Sequence, residues 1–199
     1  MSKLPNHTAL KEWSNVVAAL GRGEQIILIR KGGIADPSFG VEAERFYLYP
    51  TYFHQGESES RPSVTITHWC EVVRTWTIRD AALLERLAPL VVLPRETLDT
   101  RYRFRPDQAL SVIGVRTWRL AQPVEVRYRD EYGGCRSWVS VDDEIDVDGS
   151  ATVLREDELQ SKMCDVAVIL SPAEGEGPPA GGAGSVQPPE VLRRLRGSG

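Results

Sequence analysis

Residues 63–78, "SVTITHWCEVVRTWTI", constrain the fold more than any other stretch of this chain. Val64, Ile66, His68, Cys70, Val72, Trp76 and Ile78 share one parity, and Thr65, Thr67, Trp69, Glu71, Thr75 and Thr77 share the other. A two-residue period sustained over this length predicts one long bent strand or two collinear ones. The centre of the fold is therefore expected to be a sheet.

Other segments read as elements around that strand. Thr8 is placed to cap a helix whose Leu10, Trp13, Val16, Val17 and Leu20 fall on one face of a 3.6-residue period, and Gly21 and Gly23 stop it. "EQIILIRKGG" has isoleucine or leucine on both faces, as a central strand buried on two sides does. "RFYLYP" puts Phe46 and Leu48 on one face and Tyr47 and Tyr49 on the other, and Pro50 ends it. Asp80 caps a short helix through Leu87, and Pro94 opens another helical turn. Strands are expected at 109–119, at 123–129 and in "CRSWVSV". A final helix over 156–170 carries Leu159, Met163, Val166, Ala167 and Leu170 on one stripe.

The order of elements predicts one α+β domain over residues 1–170: an N-terminal helix, a strongly curved and mostly antiparallel sheet, and a C-terminal helix. A chain of 199 residues is long enough to bury such a core. From Ser171 the chain becomes "SPAEGEGPPAGGAGSVQPPE", which lacks the apolar content to pack. Residues 171–199 are expected to be a disordered tail whose basic end, "VLRRLRGSG", reads as solvated, the competing reading being a short basic helix that docks on a protein partner.

Charge and cysteine usage narrow the function classes. Residues 1–130 carry a net +3 and residues 131–171 a net −7, a balance that argues against a non-specific nucleic-acid coat and makes any anion site local. Cys70, Cys135 and Cys164 are widely spaced, without a CxxC pair, and read as reduced thiols. No apolar run approaches the roughly 20 residues that span a bilayer, and Met1 to Asn6 lack a secretory h-region, so no membrane partner and a cytoplasmic location are expected.

Four motifs, "ALKEWSNVVAAL", "QIILIRKGGI", "FYLYPTYFHQ" and "YGGCRSWV", in this order and at these separations, resemble the bacterial and archaeal family known as domain of unknown function 1802. The likeness covers roughly residues 8–170 and implies no established activity. The family tends to carry a histidine near Ala43, an acidic residue where Phe53 stands, and a longer loop than Gly56 to Arg61. A second likeness is to PUA-like barrels of the ASCH type, in which a helix, a glycine and a strand ending in arginine frame a cleft for a base or modified nucleotide. Trp13 with its helix, Gly23 and Arg30 have that order here, with Leu28 where such strands often carry an acid. The second likeness implies a PUA-like barrel.

Candidate site residues fall in three places. Arg30 and Lys31 leave a buried strand at Gly32-Gly33, where a guanidinium and exposed backbone N–H groups suit an anion; the competing reading is an ion pair with Glu42 or Glu44. In "PTYFHQ", Tyr52 offers a stacking face, His54 a group titrating near neutrality and Gln55 a paired donor and acceptor; the competing reading is a turn whose polar groups satisfy backbone. In "RYRFRP", an extended chain would put Arg101, Arg103 and Arg105 on one side as a phosphate track with Tyr102 and Phe104 behind; otherwise they are a solvated face. Arginine outnumbers lysine 20 to 4, which lowers the weight of any one arginine cluster.

Other patterns are weaker. His68 and Cys70 share a face with His54 and Cys135 in reach of a zinc set, but that face is apolar and a core thiol explains it more simply, so no metal is assigned. Cys135 as a nucleophile has no assigned base. Glu144, Asp146, Asp148 and Gly149 mimic a calcium loop until Arg155 occupies the position that needs glutamate.

Two functional classes follow. The first is a binding module holding a nucleotide or short nucleic-acid segment in a cleft of Arg30, Lys31, Tyr52, His54 and Gln55, with Arg101 and Arg103. The second is a metal-dependent hydrolase or phosphodiesterase with His54 as general base and Glu42 or Glu44 orienting it or binding the metal. No cofactor is assigned.

Overall fold

A computed structural model describes Leu4 and residues 7–31, 39–52, 62–134 and 136–171. His54, Gln55, Gly32, Gly33 and Cys135 lie outside the described residues, as does the expected tail beyond Ser171.

Seven strands and four α-helices make up the described chain: β1 (Thr8–Trp13), α1 (Ser14–Gly21), β2 (Ile27–Arg30), β3 (Arg45–Thr51), β4 (Ser63–Ile78), α2 (Ala81–Leu87), α3 (Arg95–Arg103), β5 (Leu110–Arg127), β6 (Trp138–Ser140), β7 (Ala151–Thr152) and α4 (Glu156–Leu170). The strands form one curved, open sheet in the order β2-β5-β4-β3-β1-β6, with β7 added to β5. Only β1 and β3 run parallel; every other pairing is antiparallel. The α+β expectation holds.

The long alternating segment is a single strand, as its period requires, but its phase slips. Val64 and Ile66 sit in one apolar cluster with Trp69, whereas Cys70 and Ile78 sit in the other. The slip coincides with a register shift between Ile66 and His68, where β5 places Leu120 to Pro123 opposite the single residue Thr67; a second shift brackets Val73. Irregularities of this kind bend a strand and re-aim its side chains. The two strands expected at 109–119 and 123–129 are the two arms of β5 on either side of the first irregularity.

The helix expected from Thr8 is corrected to a strand followed by a shorter helix. Residues 8–13 are hydrogen-bonded on both edges, to β3 on one side and β6 on the other. That tertiary pairing overrides a periodicity that suits a helix locally. Trp13, extended at φ −59° and ψ 140°, is the residue from which α1 starts.

Two apolar clusters flank the sheet. The larger holds Leu10, Phe46 and Leu48 with residues of all four helices, among them Leu20, Leu84, Leu98 and Met163. The smaller holds Ala9, Tyr47 and Tyr49 with Tyr132, Val139 and Ile145. Phe46 and Leu48 thus face away from Tyr47 and Tyr49, as their alternation requires. Gly114 on β5 brings α4 close: a Cβ there would meet Met163 Sδ at 2.8 Å. Asp80 caps α2, its Oδ1 accepting from Ala82 N at 2.8 Å. No helix among the described residues is long and apolar enough to cross a membrane.

Candidate functional site

In β1, Leu10 and Glu12 share a face, and Leu10 belongs to the larger core, so Glu12 is carried toward buried surroundings. Its side chain is 1% exposed. A carboxylate so placed needs partners, because an unpaired buried charge is costly. Arg30 supplies one, its Nη1 donating to Glu12 Oε2 at 3.0 Å. Trp13 N donates to Oε1 at 2.9 Å. Arg101 stands with Nη2 at 3.8 Å from Oε1 while its Nη1 donates to Ile29 O at 2.7 Å. Each guanidinium also lies over an aromatic ring, Arg30 over Phe39 at 5.4 Å and Arg101 over Trp13 at 5.5 Å. Burial pushes the Arg101 pKa down, and Glu12 pulls it part of the way back.

This cluster joins the two strand exits singled out in the sequence. Parallel pairing aligns Glu12 with Pro50 and Trp13 with Thr51, and Thr51 Oγ1 donates to Glu12 O at 3.2 Å. Arg30, at the end of β2, reaches the same residue from the other side. Arg30 is ion-paired with Glu12 and not with the expected Glu42 or Glu44. Two arginines to one carboxylate leave the cluster with a net positive charge.

The extended phosphate track expected at 101–106 is corrected. Arg101 to Arg103 form the end of α3, where residues two apart point about 200° apart, so Arg101 turns inward to Glu12 and Arg103 is exposed. Tyr102 between them organises a different site. Lys31 Nζ donates to Tyr102 O at 2.7 Å and lies 5.7 Å from the centre of its ring. The Tyr102 hydroxyl donates to Arg79 O at 2.6 Å, and Arg79 Nη1 donates to Asp107 O at 2.8 Å. A cavity of about 200 Å³ opens here, lined by Arg79, Tyr102, Arg103, Pro106 and Gln108. Burial lowers the Lys31 pKa, the Asp107 carboxylate opposes that, and Arg79 adds to it.

The turn that closes the cavity is strained. Arg105 has φ 48°, in the left-handed region, immediately before Pro106, and Gln108 N donates to Arg105 O at 2.9 Å. A proline normally holds the preceding residue in an extended conformation, and a non-glycine residue in the left-handed region costs about 1–2 kcal/mol. Such strain persists where the surroundings impose it and gathers at binding sites. A second void, between Leu20 and Leu154, holds only about 10 Å³, the lower limit for one water.

Other expected residues are placed elsewhere. Tyr52 is half-buried against the smaller cluster, on the Tyr47 and Tyr49 side. Cys70 is fully buried, its thiol pushed up to about 12 by burial, which makes it an inert core group beside Thr117. His68 Nδ1 lies 2.7 Å from Thr67 Oγ1. Asp146 Oδ1 accepts from Asp148 N at 2.9 Å, an Asx turn in the calcium-like loop. No three His, Cys, Asp or Glu side chains gather as a metal site among the described residues.

Glu12, Arg79 and Gln108 were missed by sequence reasoning. The signal for Glu12 is an acid two positions from Leu10 in a strand, and it becomes visible only once 8–13 is read as extended. Arg79 and Gln108 carried no local signal, because α2 and α3 intervene between them.

Among solved structures the chain is similar to the ASCH protein of Zymomonas mobilis, with 13% identity and a TM-score of 0.46 over 79% of this chain and 93% of that one. Two single-substitution mutants of the same protein match at 13% identity and TM-score 0.47, covering 82% and 99% of the two chains, and at 11% and 0.46, covering 79% and 96%. No curated protein is similar in sequence. The model of the family described as domain of unknown function (DUF1802) matches residues 9–164, and the chain belongs to that family.

Proposed function

We propose that the protein is a binding module that holds a nucleotide or a short nucleic-acid segment at the cavity beside Tyr102. The observation that carries this reading is the grouping of Lys31, Arg79 and Arg103 around one tyrosine and one cavity, from three separate parts of the chain. Cations attract phosphate, and a base stacked on an aromatic face gains about 1–3 kcal/mol. Gln108 adds an amide of the kind that reads a base edge. At about 200 Å³ the cavity is smaller than the roughly 300 Å³ and upward typical of sites that enclose a whole ligand, so one unit of the ligand enters and the rest lies outside.

Of the ligand set expected from sequence, Lys31 and Arg103 act here directly, while Arg30 and Arg101 hold the two strand and helix ends in place through Glu12. Tyr52 flanks the neighbouring β3 exit, and His54 and Gln55 stay in the proposed ligand set. The proposal includes a PUA-like barrel form, a cytoplasmic setting and a protein-docking role for the C-terminal tail.

The test is titration of the full chain with a pentanucleotide at about 50 mM and about 200 mM salt. Binding that weakens at the higher salt, and weakens further in Arg79→Ala and Arg103→Ala, is expected. No binding at low salt by calorimetry, together with an unchanged melting temperature, would end the proposal.

A further inference from the structure

The charges around the cavity are not balanced. Arg79 and Arg103 line it, and Lys31 contacts Tyr102, which lines it too. Arg105 lies in the closing turn, over the Phe104 ring at 5.1 Å. The one acid of this turn is Asp107, whose backbone carbonyl, not its carboxylate, receives Arg79. Among the described residues no carboxylate forms an ion pair with Lys31, Arg79 or Arg103, although Arg22, Arg45, Arg95, Arg116, Arg129 and Arg155 on the same molecule all have one. Among the described residues, Lys31, Arg79 and Arg103 against the one acid Asp107 leave the site about two positive charges in excess.

That excess discriminates between kinds of phosphate. A phosphodiester within a strand carries a single negative charge, whereas a terminal phosphate monoester carries between about −1.5 and −2 at neutral pH, with its second pKa near 6, and has three acceptor oxygens. The cavity is also smaller than the roughly 300 Å³ and upward of sites that enclose a whole ligand. We infer that the cavity seats a terminal phosphate monoester, the phosphorylated end of a nucleotide or short strand, with Arg79 and Arg103 as its cationic contacts, Lys31 adding its charge beside Tyr102, and the adjoining base at the cavity mouth within reach of Tyr102 and Gln108. This rests on the nucleotide-binding reading and specifies the chemical class that the site selects.

The test uses the full chain and four pentathymidylates: 5′-phosphorylated, 3′-phosphorylated, unphosphorylated, and 5′-phosphorylated with that phosphate capped as its methyl ester. Each is titrated by calorimetry at low salt at pH 7.5 and pH 5.5. At pH 7.5 at least one phosphorylated end is expected to bind about tenfold tighter than the unphosphorylated and capped strands, the order given by one added hydrogen bond to a charged group. The advantage should shrink at pH 5.5, where the monoester takes up a proton and the capped strand does not. Arg103→Ala should shrink the preference, so that within that variant the phosphorylated strand binds no more than about threefold tighter than the unphosphorylated one. Equal binding of all four strands would overturn the monoester inference and leave the binding module standing. Absence of binding by all four would overturn both.

Discussion

Glu12 and Arg30, eighteen residues apart, meet at 3.0 Å with the carboxylate almost wholly excluded from solvent. That contact ties the end of β2 to the β1–β3 pair, and through Arg101 it ties both to the end of α3. The positions of Lys31 and Tyr102, which follow Arg30 and Arg101 directly in the chain, depend on it.

Removing the carboxylate should therefore cost more than removing an arginine together with it. Glu12→Gln leaves two buried guanidinium groups facing each other and is expected to lower stability by about 3–5 kcal/mol in urea unfolding. Glu12→Leu combined with Arg101→Met should lose less than Glu12→Gln alone, because one buried guanidinium, that of Arg30, rather than two is left without the carboxylate. A double variant less stable than the single one would contradict the pairing.

His68 provides a pH-dependent term. Its ring packs against Gly21, where a Cβ would lie 2.6 Å from Cε1, and Arg119 Nη2 donates to Gly21 O at 3.0 Å beside it. Burial lowers the imidazole pKa and Arg119 lowers it further. A depressed folded-state value means that the unfolded chain takes up the proton first. The stabilisation is complete above about pH 6.5 and is lost as pH falls through the lower folded value. Urea midpoints measured from pH 7.5 to pH 5.5 should fall with pH, and His68→Gln should flatten that slope. An unchanged slope in the variant would show that His68 is not its source.

Arg105 inverts the usual ranking of glycine and alanine. At its left-handed φ, Arg105→Gly is expected to be more stable than Arg105→Ala by about 1 kcal/mol, although alanine normally wins elsewhere. Thermal denaturation of the two variants compares the backbone alone, since both remove the arginine side chain. Alanine the more stable would mean that the turn relaxes.

Much of this architecture was legible in the residues. The period of β4, the opposed faces of β3, the Asp80 cap and α4 follow from local chemistry that tertiary packing does not reverse. Residues 8–13 were misread because Leu10, Trp13 and Val17 fit a helical period while the edges of β3 and β6, distant in sequence, claim that backbone. The site was half legible. Arg30, Lys31, Arg101 and Arg103 stood out as cations at element ends, but their sorting into a buried cluster and a cavity depends on α3 being helical, which sends Arg101 and Arg103 opposite ways. No local pattern could reveal that Glu12 would meet Arg30 or that Arg79 would face Gln108.

Salt dependence separates the cavity cations from the rest of the surface. Arg103→Ala and Arg79→Ala should each reduce the slope of log affinity against log salt by about 0.7 for a single strand, as loss of one phosphate contact does. Thr65→Ala, on the opposite arm of the sheet, should leave that slope unchanged. Equal slopes in all the variants would place the binding surface away from Tyr102.

The most direct measurement is an NMR titration of the isotope-labelled full chain with thymidine 5′-monophosphate at low salt. The account predicts saturable shifts concentrated on the amides of Lys31, Arg79, Tyr102, Arg103 and Gln108, with the Glu12 and Ile29 amides moving less. Shifts confined to other parts of the molecule, or none at millimolar ligand, would contradict it.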